Sequence, residues 1–275
     1  VQTCALPIYG ASSGFFQRNH FDVSKLDTAR IGREAIQKAL SSKNPRKLDP
    51  GIYPVILEAQ AADDLISFRF DARSADEGRS PYSGRDGKTK VGEQIFDARV
   101  NVYSDPWHPE LPGSARATDG IPAQRIHFVR NGVLEQLGYS RWWAKEKGKE
   151  PTPGPVNQIL ESSAPPVSMA DMIKATERGL LVSRFWYTRG VDPRTALFTG
   201  LTRDGVWYIE GGKIQHAVSN FRFNQSVLEL LAPGNVELIG APERISSSES
   251  QGRSASLTPA LKVKQFHFTS LSEAV

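Results

Sequence analysis

The chain has 275 residues, 39% hydrophobic and 23% charged, a globular composition whose length fits one large domain or one domain with an attached fragment. Lys and Arg total 34 against 30 Asp and Glu, and the surplus is spread without basic blocks, so a nucleic-acid backbone is not the expected partner. The single cysteine, Cys4, excludes an internal disulfide and a cysteine-rich zinc site, and no run approaches the roughly 18 apolar residues that span a membrane.

The opening VQTCALPIYG lacks Met and lacks the charged and apolar regions of a signal peptide, so a cytoplasmic protein is expected. VQTCALPI reads as translated adapter joined to a truncated gene, which makes residues 1–10 a ragged, non-native start that carries Cys4. Residues 27–42 are predicted as a helix with Asp27 as N-cap, Ile31, Ala35 and Ala39 on one face, and a stop at Pro45. After KLDPG, a β-branched run at Val55–Leu57 gives way to helical spacing through Ala61, Ala62, Leu65 and Phe68, predicting strand then helix. Residues 71–92 are rich in Gly, Ser and charge and read as a mobile surface loop.

Strands are predicted at IFDARVNVY and at RIHFVRNGVLEQLGY, where Asn131-Gly132 between apolar runs signals a hairpin and hence a partly antiparallel sheet. A polar, Pro-rich crossing over residues 145–168 leads to the helix MADMIKATERG, with Ser168 and Asp171 spaced as a capping-box variant and Gly179 at its C′ position. From residue 180 apolar runs alternate with turns at Asp204-Gly205 and Gly211-Gly212, which predicts a β-meander. Asn224 is expected to cap a short helix, QSVLELL, and the Ser-rich stretch SSSESQGRSAS separates it from a last strand, ALKVKQFHF.

No catalytic constellation is evident. The histidines, His20, His108, His127, His216 and His267, form no HExxH or HxxxH pair, so no local spacing puts two metal ligands on one helix face. The nucleophile elbow GxSxG is absent, and GRSPYSGRDG and TGLTRDG match neither phosphate-cradling glycine pattern. Asp63 and Asp64 resemble a carboxylate pair, but adjacent helix positions diverge by about 100°, so a solvated face is expected. The aromatics Phe185, Trp186, Tyr187, Trp207 and Tyr208 could stack single-stranded bases, but core packing explains them better.

The run from Gly179 to Leu231 nevertheless resembles the C-terminal domain of the TldD/PmbA family of metallopeptidases. The resemblance rests on GLLV after a capped helix, TGLTRDG, YIEGGKI followed by AVSNFRF, and SLTPALKV at Ser256–Val263. Upstream, GIYPVILEAQAADDLISF, EGRSPYSGRDG, Asp105-Pro106 and NGVL at Asn131–Leu134 follow the same order, so about residues 25–270 are covered. It implies an α+β fold, with a C-terminal domain of mixed, largely antiparallel curved β-sheets and a few flanking helices over residues 49–275. Residues 11–48 would then end a preceding, missing N-terminal domain and supply a connector helix.

In TldD-type members the helix after the corresponding strand carries HExxxH, whose histidines bind zinc and whose Glu is the general base. Counted without gaps from Val55-Ile56-Leu57, the motif falls on Ser67 to Ala72, with Ser67, Phe68 and Ala72 in place of His, Glu and His. A further cysteine ligand would fall in SSSESQGRSAS, which has none. The chain is thus similar to the PmbA, or TldE, branch, which lacks the motif and pairs with a TldD-type subunit to process unfolded peptides. This implies no cofactor in this chain and zinc in a TldD-type partner, with a homodimer or a stand-alone peptide-binding or assembly protein as the alternative. Thr202, Arg203 and Asp204 in TGLTRDG are the residues expected to face a peptide cleft.

Overall fold

The structure, a computed structural model, describes residues 2–5, 12–246 and 255–273. Strand β1 (Gln2–Ala5), inside the stretch read as a ragged start, pairs antiparallel with β2 (Gly14–Gln17). Helix α1 (Thr28–Ser41) begins as expected: the Asp27 carboxylate accepts from Arg30 N at 2.8 Å, and Ile31, Ala35 and Ala39 are buried. It lies so close to β2 that a Cβ at Gly14 would stand 2.1 Å from the Ala35 carbonyl oxygen, which restricts that position to glycine.

Strand β3 (Gly51–Leu57) leads into α2 (Ala59–Leu65), but the helix does not reach Phe68 as the spacing predicted. Ile66 is extended, at φ −83° and ψ 108°. The cause is tertiary: Gln158 accepts from Phe68 N at 3.2 Å and donates to Ile66 O at 3.5 Å, taking backbone groups a further turn of helix would have used. From there Ile66, Phe68 and Phe70 are buried while Arg69 and Asp71 are exposed, the alternation of extended chain. Nor is residues 71–92 one loop: α3 (Ala72–Asp76) stands in it, its first turn capped by the Asp71 carboxylate accepting from Ser74 N at 2.8 Å.

Strand β4 (Val100–Ser104) starts later than the run IFDARVNVY suggested, because the Asp97 carboxylate accepts from Arg99 N at 3.1 Å and from its Nε at 2.8 Å, folding a turn ahead of it. The hairpin forms as expected from β5 (Ile126–Arg130) and β6 (Val133–Leu134), with Asn131 at φ 50° and Gly132 at φ 76°. Two unpredicted elements follow, one leading into the polar crossing and one within it. Helix α4 (Arg141–Lys147) is capped by Ser140 and anchored by Trp143 and Ala144, and β7 (Gln158–Ser162) lies between β4 and the last strand.

Helix α5 (Met169–Lys174) has the predicted cap, Ser168 accepting from Asp171 N at 3.1 Å, but it ends at Ala175. Gly179 belongs to the next strand, β8 (Arg178–Asp192). That strand, β9 (Leu197–Glu210) and β10 (Lys213–Ala217) are successive antiparallel neighbours, with Gly211-Gly212 as the turn. Asp204-Gly205 is not a turn: it sits inside β9, opposite a register shift between Val182 and Arg184 of β8, as a bulge with φ 58° and 131°. Asn224 lies in β11 (Phe221–Ser226), and Ser226 caps the short helix α6 (Val227–Leu230) instead, accepting from Glu229 N at 3.3 Å. Strands β12 (Val236–Ile245) and β13 (Ser256–Leu271) complete the described chain.

These strands, apart from β1 and β2, build an 11-stranded mixed sheet in the order β10-β9-β8-β3-β13-β7-β4-β5-β6, with β11 and β12 off that path. Because β11 pairs with both β9 and β13, the pairings β9–β8–β3–β13–β11 return to β9 and close a ring. Phe185, Phe223 and Phe266 reach across it from strands that are not all neighbours: Phe185 is 4.5 Å from Phe223 and 5.4 Å from Phe266 between ring centroids. All three are fully buried. Most pairs are antiparallel; β3 with β8 and β7 with β13 run parallel. The fold is therefore α+β with mixed sheet, as expected.

Candidate functional site

Helix α2 is buried nearly all round, between β8, β12 and β13, and this reverses the expectation for its carboxylates. Asp63 is 4% exposed: Ser256 Oγ donates to its carboxylate, Thr258 Oγ1 lies 3.3 Å from it, and the two hydroxyls are 2.9 Å apart. Asp64 accepts from Gln60 Nε2 at 2.8 Å and from Phe185 N at 3.1 Å, and Gln60 Oε1 accepts from Gln17 Nε2 at 2.9 Å. Asp63 is buried and Asp64 half-buried, and each is supplied with the partners that burial demands.

Beyond α2, the positions Ser67, Phe68 and Ala72 do not share a helix. Ser67 and Phe68 are on the extended segment, and Ala72 is the first residue of α3. Phe68 is 9% exposed, with ring centroids of Phe70 and Phe96 at 5.4 and 5.5 Å. A hydroxyl, a buried phenyl ring and a methyl group cannot replace two imidazoles and a carboxylate, so these positions do not fit a zinc ion. Among the described residues no group of three or more His, Cys, Asp or Glu is placed to hold a metal. The stretch where a further cysteine would stand falls mostly on residues 247–254, outside the described residues.

The histidines are scattered. The His20 Nε2 is 3.1 Å from the Glu110 carboxylate, His127 stacks on Tyr103 at 4.9 Å, and His216 stacks on Tyr208 at 5.3 Å. Burial, with Arg130 and Arg125 nearby, holds the His127 imidazole below its ordinary pKa. Phe185 and Trp207 are core residues and Tyr187 is 58% exposed, so the aromatic run presents no continuous stacking face.

Phe68 opens onto a cavity of about 300 Å³ walled by three extended segments. Gly138 joins the first, its N donating to Phe70 O at 2.7 Å and its O accepting from Ala72 N at 3.0 Å. Thr152 joins the third to the second, donating its N to Tyr139 O at 3.0 Å and accepting from Tyr139 N at its Oγ1 at 2.8 Å. Phe68, Phe70, Ile121, Gly154 and Pro155 give it an apolar lining, with Arg69 and Asp71 on the same wall. Pro155 also borders a second cavity, of about 160 Å³, that reaches Asp63, Asn157, Gln158 and Ser256.

The expected cleft residues in TGLTRDG divide. Thr202 is fully buried, not cleft-facing, because its Oγ1 is used within the fold: it accepts from Phe221 N at 2.9 Å and lies 3.0 Å from Asn220 Oδ1. Arg203 is half-buried over the Trp186 ring at 5.0 Å. Asp204 is 3% exposed, 3.4 Å from Arg184 Nη1, and borders a separate cavity of about 280 Å³. Sequence reasoning missed the cavity at Phe68; the alternation of apolar Ile66, Phe68 and Phe70 with polar Ser67 and Arg69 signalled only the extended segment that forms one of its walls.

A family model for the PmbA/TldA metallopeptidase C-terminal domain matches residues 50–270. The chain belongs to this family. No curated protein matches it. Among solved structures of similar fold, a candidate DNA gyrase modulator from Thermotoga maritima is 23% identical at a TM-score of 0.80, covering 95% of this chain and 60% of its own. TldE from Thermococcus kodakarensis is 21% identical at 0.78, covering 94% and 59%. A candidate DNA gyrase modulator from Bacteroides thetaiotaomicron is 20% identical at 0.78, covering 96% and 58%. This PmbA/TldD-family chain thus spans about three-fifths of the length of these relatives. No described helix is long and apolar enough to cross a membrane.

Proposed function

We propose that this chain is the non-catalytic, peptide-binding subunit of a cytoplasmic PmbA/TldD-type peptidase, whose zinc is held by a TldD-type partner. The observation that carries this reading is Phe68: at the position that the ungapped register assigns to the general base, a buried ring that cannot accept a proton opens onto an apolar cavity. The wall of a peptide-binding cleft survives such a change, while hydrolysis of a peptide bond by metal-activated water does not. An unfolded peptide held along extended chain is read through its backbone, which suits low sequence selectivity.

Residues 66–71 offer such a surface, extended and bound on one side to Gly138. Affinity purification of the tagged full chain from its own cells is expected to bring down a related chain carrying HExxxH. Recovery of the chain only with itself would instead favour the stand-alone binding protein or homodimer.

A further inference from the structure

The cavity at Phe68 has an apolar floor and one unused charge. Phe68 and Phe70 stack on each other, and Phe70 is backed by Phe128 at 4.5 Å and Tyr82 at 5.1 Å. Burial pushes the Tyr82 phenol far above its ordinary pKa, so this base is electrically neutral at any physiological pH. Neighbouring charges are occupied: the Asp71 carboxylate caps α3, Arg141 is bound at the carbonyl of Asp119, and Lys149 Nζ donates to Tyr139 OH at 2.7 Å. Arg69, on the wall of the cavity and exposed, has no ion pair or hydrogen bond to another described side chain.

We propose, building on the peptide-binding reading above, that this cavity receives the last residue of a peptide. Its bulky apolar side chain enters among Phe68, Phe70 and Ile121, and its free C-terminal carboxylate pairs with Arg69. The guanidinium matches a carboxylate with two parallel N–H donors, and no carboxylate within the described chain takes that place. At about 300 Å³ the cavity is at the small end of ligand pockets, of the size for one side chain and not for a folded partner. Gly154 lines the cavity, and a Cβ added there would meet nothing within 4 Å, so a larger residue is accommodated at this rim without moving the walls.

The test measures fluorescence anisotropy of labelled peptides with the full chain, differing only in the last residue, Phe or Ala, and in the end group, acid or amide. The Phe acid is expected to bind roughly tenfold more tightly than either the Phe amide or the Ala acid, the scale of one charged hydrogen bond or one buried side chain. Arg69→Ala is expected to erase the difference between acid and amide. Gly154→Leu is expected to erase the difference between Phe and Ala. Because Arg69 is exposed, its variant decides the question even if Gly154→Leu fails to fold. Equal binding of acid and amide, or discrimination surviving Arg69→Ala, overturns the inference and leaves peptide binding standing. If no peptide binds in any form, the peptide-binding reading falls together with it.

Discussion

Replacing Asp204 by Ala is expected to destabilise the chain by about 3–5 kcal/mol, the scale for breaking a buried ion pair by removing one of its members. The Arg184 side chain is 4% exposed, and its guanidinium is packed against Phe15 at 4.0 Å and Trp186 at 4.7 Å. The Asp204 carboxylate lies 3.4 Å from its Nη1 and 3.9 Å from Arg203 Nε. Backbone geometry adds to the loss, because Asp204 has φ 58°, where an Ala pays roughly 1–2 kcal/mol that Asp and Asn largely avoid. Asp204→Asn separates the two contributions by keeping the backbone preference and removing the charge. Urea titration is expected to place Ala lowest, Asn between and the unaltered chain highest, with unchanged slopes. Equal midpoints for Asn and the unaltered chain would show that the ion pair contributes nothing.

Phe266→Ala is expected to cost about 3–5 kcal/mol, through lost burial and a cavity the surroundings cannot fill. Phe266 is fully buried, with Phe185, Phe223 and Phe268 rings at centroid distances of 5.4, 5.6 and 4.9 Å. Those rings belong to the strands whose pairings close on themselves, so the sheet cannot shift inward to refill the gap without breaking register. Phe266→Leu keeps an apolar branched side chain and is expected to lose less than half as much. A fall in thermal midpoint for Ala no larger than for an exposed substitution such as Leu40→Ala would contradict the closed packing.

Local chemistry was readable wherever one short stretch decides the outcome. Asp27 and Ser168 cap their helices, and Asn131-Gly132 turns its hairpin, because the needed side chain or positive φ is supplied within two to three residues. Asp204-Gly205 shows where that reasoning stops. The pair does adopt positive φ, but whether the chain reverses there depends on β8 running alongside with a register shift, a fact of the neighbouring strand. The end of α2 depends in the same way on Gln158, which is 90 residues from Phe68.

Family and α+β architecture were legible from the ordered motifs between Gly179 and Val263, and the family match over residues 50–270 agrees. For the site the sequence offered only a register. Counting assigns the motif to Ser67, Phe68 and Ala72, but the helix expected to carry them ends at Leu65. The cavity they border is assembled from segments near residues 68, 138 and 154, which no spacing rule connects. The buried state of Asp63 was hidden for a related reason: Ser256 and Thr258, its partners, are more than 190 residues away in sequence.

The claim that this chain shapes a peptide site and leaves the chemistry to a partner is tested most directly by reconstitution. The full chain and a TldD-type subunit carrying HExxxH are mixed, and zinc content and hydrolysis of an unfolded peptide are measured for each alone and for the mixture. Zinc is expected only with the partner, and this chain alone is expected to be inactive, while the mixture cleaves and loses activity when the partner's motif Glu is replaced by Gln. Stoichiometric zinc and peptide cleavage by this chain on its own would contradict it.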